Sequence, residues 1–201
     1  MGNFPLRRAA SAPLAGPECA CEPAPMSKPD KADKAGTGHQ AGLRAGEVAI
    51  ELPPRFDACL YYIGRIHTPW KRREDCPKNP RETDVECTIA LDPRWVGGLE
   101  GLETVSHVVV LYWMDRARRD LVLQAPHHYA ERRGTFALRS PVRPNPIAVS
   151  VARLLRIAGA TLTVVGLDCV DDTPLLDIKP YFASTDAVAD ARVGWHATRT
   201  P

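Results

Sequence analysis

The sequence predicts an all-β fold: a single β-barrel of antiparallel or mixed strands with short helices, behind a disordered N-terminal extension. Three observations carry this. From Cys59 onward, short runs rich in Val, Ile, Leu and Thr recur, separated by Gly, Pro and Asp. Amphipathic stretches of period 3.6 are nearly absent, which argues against a βαβ sheet. And 201 residues, 44% of them hydrophobic, suffice for one core, or one core plus a tail.

Taken in order, residues 1–56 hold eight prolines, many alanines and glycines, and only Phe4 and Phe56 as aromatics. Such a composition buries too little apolar surface to offset ordering entropy, so this segment is expected to be largely disordered, with Met26 a candidate translation start. Residues 57–185 form the barrel, with strands expected over Leu60 to Ile66, Val85 to Leu91, Val105 to Met114, Thr135 to Leu138, Val149 to Ile157, Leu162 to Val170, and Leu175 to Tyr181. Helix is limited to one turn near Pro93 to Leu99 and a short piece around Arg116 to Leu123. Residues 186–201 are a C-terminal tail.

Several function classes lack their signatures. There is no G-x-G-x-x-G after a strand and no phosphate loop. Ser106, Ser140 and Ser150 have no G-x-S-x-G setting. The six cysteines show no metal-ligand spacing, so reduced thiols in a cytoplasmic protein are expected, with no metal. His127-His128 reads as a loop pair, because adjacent side chains on extended backbone point to opposite sides. No run of about 18 apolar residues suggests a membrane span.

The net charge of +2 conceals an uneven distribution. Seven arginines lie between Arg116 and Arg143 against Asp120 and Glu131, while six aspartates lie between Asp168 and Asp190 against Lys179. A basic face of this kind suits a phosphate backbone.

Three segments concentrate polar chemistry. In Leu138-Arg139-Ser140-Pro141-Val142-Arg143-Pro144-Asn145-Pro146-Ile147, the prolines bias Ser140, Arg143 and Asn145 to extended geometry. The result is either a stiff wall offering two guanidinium forks and an amide to an anionic or heteroaromatic ligand, or a surface turn. In Gly166 to Tyr181, strand alternation prevents Asp168 and Asp171 from both pointing at solvent, so one is expected to face the interior or a pocket. Asp171-Asp172-Thr173-Pro174 also suits a turn, and Asp177 with Lys179 a same-face ion pair. In Thr68 to Arg81, five cations and Trp70 suit either an RNA contact or a solvated loop.

Five blocks in order, Ile63-Gly64-Arg65-Ile66 with Thr68-Pro69-Trp70, Gly98-Leu99-Glu100-Gly101-Leu102, Ser106-His107, Arg139-Ser140 with Arg143-Pro144-Asn145-Pro146-Ile147, and Asp171-Asp172-Thr173-Pro174 with Asp177-Ile178-Lys179-Pro180-Tyr181, resemble the TsaA-like (YaeB/TrmO) family. The resemblance covers about residues 60 to 182. It implies a β-barrel that binds S-adenosylmethionine near a homodimer interface and methylates the exocyclic nitrogen of threonylcarbamoyladenosine beside the anticodon of tRNA. By the same resemblance Lys78, Asn79, Pro80, Asp115, Arg116, Arg139, Val149, Leu167, Asp168, Cys169 and Val170 are cofactor contacts, and Arg143, Asn145 and Lys179 are candidates for the substrate. Asp168 or Asp171 would accept the proton from the target nitrogen. Ala148 and Asp172 stand where the family usually has glycine, and Asp115-Arg116 where it often has His-Gln. A divergent small-metabolite methyltransferase and a non-catalytic cofactor- or RNA-binding barrel remain as alternative readings.

Overall fold

The structure, a computed structural model, describes residues 42–52, 58–127 and 131–195. Most of the expected extension, Met26 and His128 lie outside these. By its contacts the chain divides into two units, residues 1–36 with 53–59, and residues 37–52 with 60–201. In the first, Cys59 is disulfide-bonded, which corrects the expectation of reduced thiols throughout. The second holds every element described below.

Among the described residues the strands are, in chain order, β1 (Val48–Ala49), β2 (Gly64–His67), β3 (Glu86–Leu91), β4 (His107–Trp113), β5 (Leu121–Gln124), β6 (Arg133–Gly134), β7 (Ile147–Ala158), β8 (Thr161–Val165) and β9 (Thr173–Pro180). Six of them close a barrel in the order β2-β3-β8-β7-β4-β9, with β9 returning to β2. Every pairing is antiparallel. The alternation written in the sequence decides which side chains enter: Cys87, Ile89 and Leu91 from β3, and Val108, Val110 and Tyr112 from β4. Ile66, Ile89, Val108, Val110, Leu162, Val164, Leu167 and Leu175 are fully buried, each contributing about 1.5–3 kcal/mol by area.

A second, three-stranded sheet runs β1-β5-β6. Val48–Ala49 thus pairs with β5 from within the segment read as an extension. Two local expectations are corrected here. Leu121–Gln124 is a strand rather than part of a helix, because its backbone pairs with β1 and β6. Thr135–Ala137 is a 3₁₀ turn rather than a strand, because side chains satisfy its polar groups. The Thr135 hydroxyl donates to Leu121 O at 2.7 Å and accepts from Gln124 Nε2 at 2.9 Å, while Arg143 Nη2 donates to Thr135 O and Leu138 O. Pro93–Leu99 is also 3₁₀, started by Asp92 accepting from the Arg94 amide.

The strand expected over Leu162 to Val170 stops at Val165, where Gly166 takes φ +106°. That φ favours glycine, and a Cβ would stand 3.2 Å from Val151 O. Asp172 takes φ +66° in the turn before β9, which explains why a glycine suits this position. Asp172→Gly is therefore expected to change stability by less than about 0.5 kcal/mol and Asp172→Val to cost about 1–2 kcal/mol, read from urea midpoints.

Cys76, Cys87 and Cys169 are free thiols. Burial pushes the Cys87 thiol up to about 11 and the Cys169 thiol up to about 12. A thiol whose folded pKa is raised binds its proton longer in the native than in the unfolded state. Its contribution is therefore intact below the unfolded pKa and lost as pH rises from there toward the folded value. Urea midpoints are expected to fall from about pH 9 upward, and Cys87→Ala with Cys169→Ala to flatten that slope.

Candidate functional site

One end of β7, the end of β4 and three loops enclose a cleft of about 680 Å³. Its walls are the loop carrying Arg73 and Cys76 to Arg81, the segment carrying Arg139 to Pro141 with Arg143, the β7 residues Ile147 to Val151, and Asp168 with Val170 after the Gly166 turn; Tyr112 and Met114 complete it. Five lining residues are cationic and Asp168 is the one lining carboxylate. The cleft lining therefore carries a net positive charge that favours anions, with a single carboxylate among the cations.

The register of β4 against β7 sets Val110 opposite Ser150 and Tyr112 opposite Ala148, so Tyr112 and Ser150 are diagonal neighbours. Tyr112 Oη donates to Asp168 Oδ1 at 2.7 Å, Tyr112 Oη and Ser150 Oγ lie 2.9 Å apart, and Ser150 Oγ is 3.5 Å from the same carboxylate oxygen. Burial first, then the Asp168 charge, pushes the Tyr112 phenol far above its ordinary pKa. It stays a proton donor at every physiological pH, and both buried hydroxyls orient Asp168.

The proline-rich segment is braced from three sides. Arg119 Nε donates to Pro144 O and its Nη2 to Asn145 Oδ1, with the guanidinium over the Trp113 ring. Ser140 Oγ accepts from the Val142 amide. Arg143 Nη2 is committed to Thr135 O and Leu138 O, but its buried Nε has no partner among the described residues. Arg139 Nη2 spans to Val149 O at 3.0 Å, so the two cleft walls touch there.

Of the residues singled out from the sequence, Lys78, Asn79, Pro80, Arg139, Arg143, Val149, Asp168 and Val170 line the cleft. Asn79 also caps the turn that follows, accepting from the Arg81 amide at 3.1 Å. Leu167 and Cys169 are instead fully buried in the barrel core: the inward positions on β8 are Leu162 and Val164, and the break at Gly166 shifts the phase so that 167 and 169 enter the core while 168 and 170 line the cleft. Asp115 and Arg116 occupy the tight turn after β4, and Asn145 receives Arg119; none of the three lines the cleft. Lys179 pairs with Asp177 on β9. Asp171 lies outside the cleft lining, and its carboxylate takes Lys71 Nζ, the Thr68 amide and His67. Those contacts, Lys71 first, hold it below the usual carboxylate range.

Tyr112 and Ser150 are cleft-lining polar side chains that sequence reasoning missed. Their signal is a hydroxyl at a buried position within an apolar run of the strand, Val108 to Trp113 and Ile147 to Ala152. Among the described residues no cluster of His, Cys, Asp or Glu could hold a metal, and no helix is long and apolar enough to cross a membrane.

Comparison with known proteins gives one consistent result. The family model of the tRNA-methyltransferase O N-terminal domain matches residues 65–187. A probable S-adenosyl-L-methionine-binding protein, VirR, from Rhizobium radiobacter is 44% identical over 154 residues, 77% of this chain and 88% of the relative. The tRNA (adenine(37)-N6)-methyltransferase of Mus musculus is 31% identical over 151 residues, 74% of this chain but 34% of the mouse protein. The crystal structure of TrmO from Pseudomonas aeruginosa superposes with a TM-score of 0.59 at 36% identity, over 71% of this chain and 64% of that one. The chain thus spans less than two thirds of the solved relative.

Proposed function

The chain belongs to the family of the tRNA-methyltransferase O N-terminal domain, and from that premise we propose that it is an S-adenosylmethionine-dependent methyltransferase that methylates N6 of the adenosine beside the anticodon of tRNA, in its threonylcarbamoyl form. The observation that carries this reading is the cleft itself: a cationic pocket whose one lining carboxylate is oriented by two buried hydroxyls.

The cleft fits the cofactor on three counts. Its volume of about 680 Å³ lies in the range that ordinarily holds a ligand of that size. The buried Nε of Arg143 is a donor in want of an acceptor, which a ligand carboxylate or ring nitrogen supplies. Val149, Val151, Val170 and Met114 give apolar contact beside those polar groups. When bound, the cofactor supplies an electrophilic methyl group for in-line displacement. Arg139, anchored on Val149 O, offers the rest of its guanidinium to the cofactor carboxylate, and Lys78 adds a second positive charge.

Asp168 then acts on the nucleophile. Oδ1 is occupied by Tyr112 and Ser150, leaving Oδ2 without a partner among the described residues and available to take the proton from the target nitrogen. The carbamoyl group makes that proton more acidic than in plain adenosine, so a carboxylate suffices as base. Arg73, Lys78 and Arg81 around the cleft suit the phosphates of an anticodon loop, and the exposed side chains of Phe136, Ile147 and Val149 provide apolar surface for the homodimer that belongs to this reading. Action on tRNA sets the protein in the cytoplasm.

The test is transfer of labelled methyl from S-adenosylmethionine to tRNA with and without the threonylcarbamoyl group. Label on the modified tRNA alone is the expected result. No label on either tRNA, with clear thermal stabilisation by the cofactor, transfers the reading to another methyl acceptor.

A further inference from the structure

Asp171 is not part of the cleft lining, yet it joins the bases of two cleft walls. One wall is the loop of Arg73 and Cys76 to Arg81, which leaves β2 through residues 68–71; the other carries Asp168 and Val170. Asp171 Oδ1 accepts the Thr68 amide at 3.1 Å and lies 3.4 Å from His67 Nδ1, while Oδ2 pairs with Lys71 Nζ at 2.5 Å. Its own amide donates to Trp70 O at 2.8 Å, and the Thr68 hydroxyl donates to Cys169 O at 3.0 Å. His67, Thr68, Trp70 and Lys71 thereby form one knot with Cys169 and Asp171, immediately upstream of the loop wall. The Thr173 hydroxyl, donating to Val170 O at 2.6 Å, closes the turn behind it.

We propose that Asp171 is a positioning residue of the cleft: it locks the 68–71 segment onto the 169–171 turn and so fixes the loop wall before the cofactor arrives. This inference rests on the reading of the cleft as a cofactor site. The chemistry requires a carboxylate, which has lone pairs enough for an amide, an ammonium and an imidazole at once. An asparagine in its place turns an NH₂ toward one of these donors. A loop held before binding spares the ligand the entropy of ordering it, so loss of the lock appears in affinity rather than in the chemical step. The arrangement also accounts for the joint occurrence of Thr68-Pro69-Trp70 and Asp171-Asp172-Thr173-Pro174, which are distant in sequence and bonded in space.

Asp171→Asn and Lys71→Met on the full chain test this by hydrogen exchange, calorimetric titration of S-adenosylmethionine, and turnover at saturating cofactor. For Asp171→Asn, amides of residues 70–81 are expected to exchange about tenfold faster and the cofactor Kd to rise about tenfold, with kcat changed by less than about threefold. Lys71→Met moves the same quantities in the same direction by less, since Lys71 is largely solvent-exposed. Unchanged exchange over residues 70–81 in both variants overturns the proposal, as does a collapse of kcat with unchanged Kd, which makes Asp171 the proton acceptor. If the wild-type protein itself binds no S-adenosylmethionine, the cofactor reading fails, and the exchange data alone still decide whether Asp171 locks the loop.

Discussion

Asp168→Asn is expected to lower turnover by about 10²–10⁴-fold while changing cofactor affinity far less, the range that removal of a positioned general base produces. Asparagine keeps the shape, and its amide oxygen still accepts from the Tyr112 hydroxyl, so the cleft stays intact. It cannot take up a proton. Tyr112→Phe removes the 2.7 Å hydrogen bond without removing the carboxylate, and its effect is expected to be about tenfold. Single-turnover methyl transfer with calorimetric binding separates the two variants. Full activity of Asp168→Asn with an unchanged pH profile removes Asp168 from the chemistry.

Gly64→Ala is expected to cost about 3 kcal/mol or more and to remove most of the protein from the soluble fraction. At Gly64, opposite Leu91 in the β2-β3 pairing, a Cβ would stand 2.4 Å from Ala90 O and 3.0 Å from Leu91 Cα. Both obstacles are backbone, so relief requires β2 and β3 to separate. That opens the barrel beside the strand that closes it, because β2 also pairs with β9. A urea midpoint within about 0.5 kcal/mol of wild type contradicts this account of the β2-β3 approach.

Barrel strands were legible where alternation is local. Cys87, Ile89 and Leu91, or Val108, Val110 and Tyr112, declare their inward face in sequence. Closure of β9 onto β2 is not local, and neither is the β1-β5-β6 sheet, whose strands are two or four residues long and carry no pattern. Thr135 to Leu138 looks like a strand from its residues and becomes a turn only because Gln124 and Arg143 reach its polar groups from elsewhere.

The cleft divides in the same way. Lys78, Arg139, Val149 and Asp168 come to it as their sequence blocks imply. Tyr112 and Ser150 depend on the register of β4 against β7, which no short motif carries. Leu167 and Cys169 flank cleft-lining residues and are turned into the core by the phase shift at Gly166, while Asp115, Arg116 and Asn145 sit near the cleft in sequence but are spent on turns and on Arg119.

On the proposed function, this cleft is where cofactor and methyl acceptor meet. A crystal structure of the protein with S-adenosylhomocysteine tests it most directly. The ligand is expected between Lys78, Arg139 and Val149, with its carboxylate on a guanidinium, its sulfur open toward the Asp168 side of the cleft, and an acceptor on Arg143 Nε. A ligand bound elsewhere on the barrel, with this cleft empty, contradicts it.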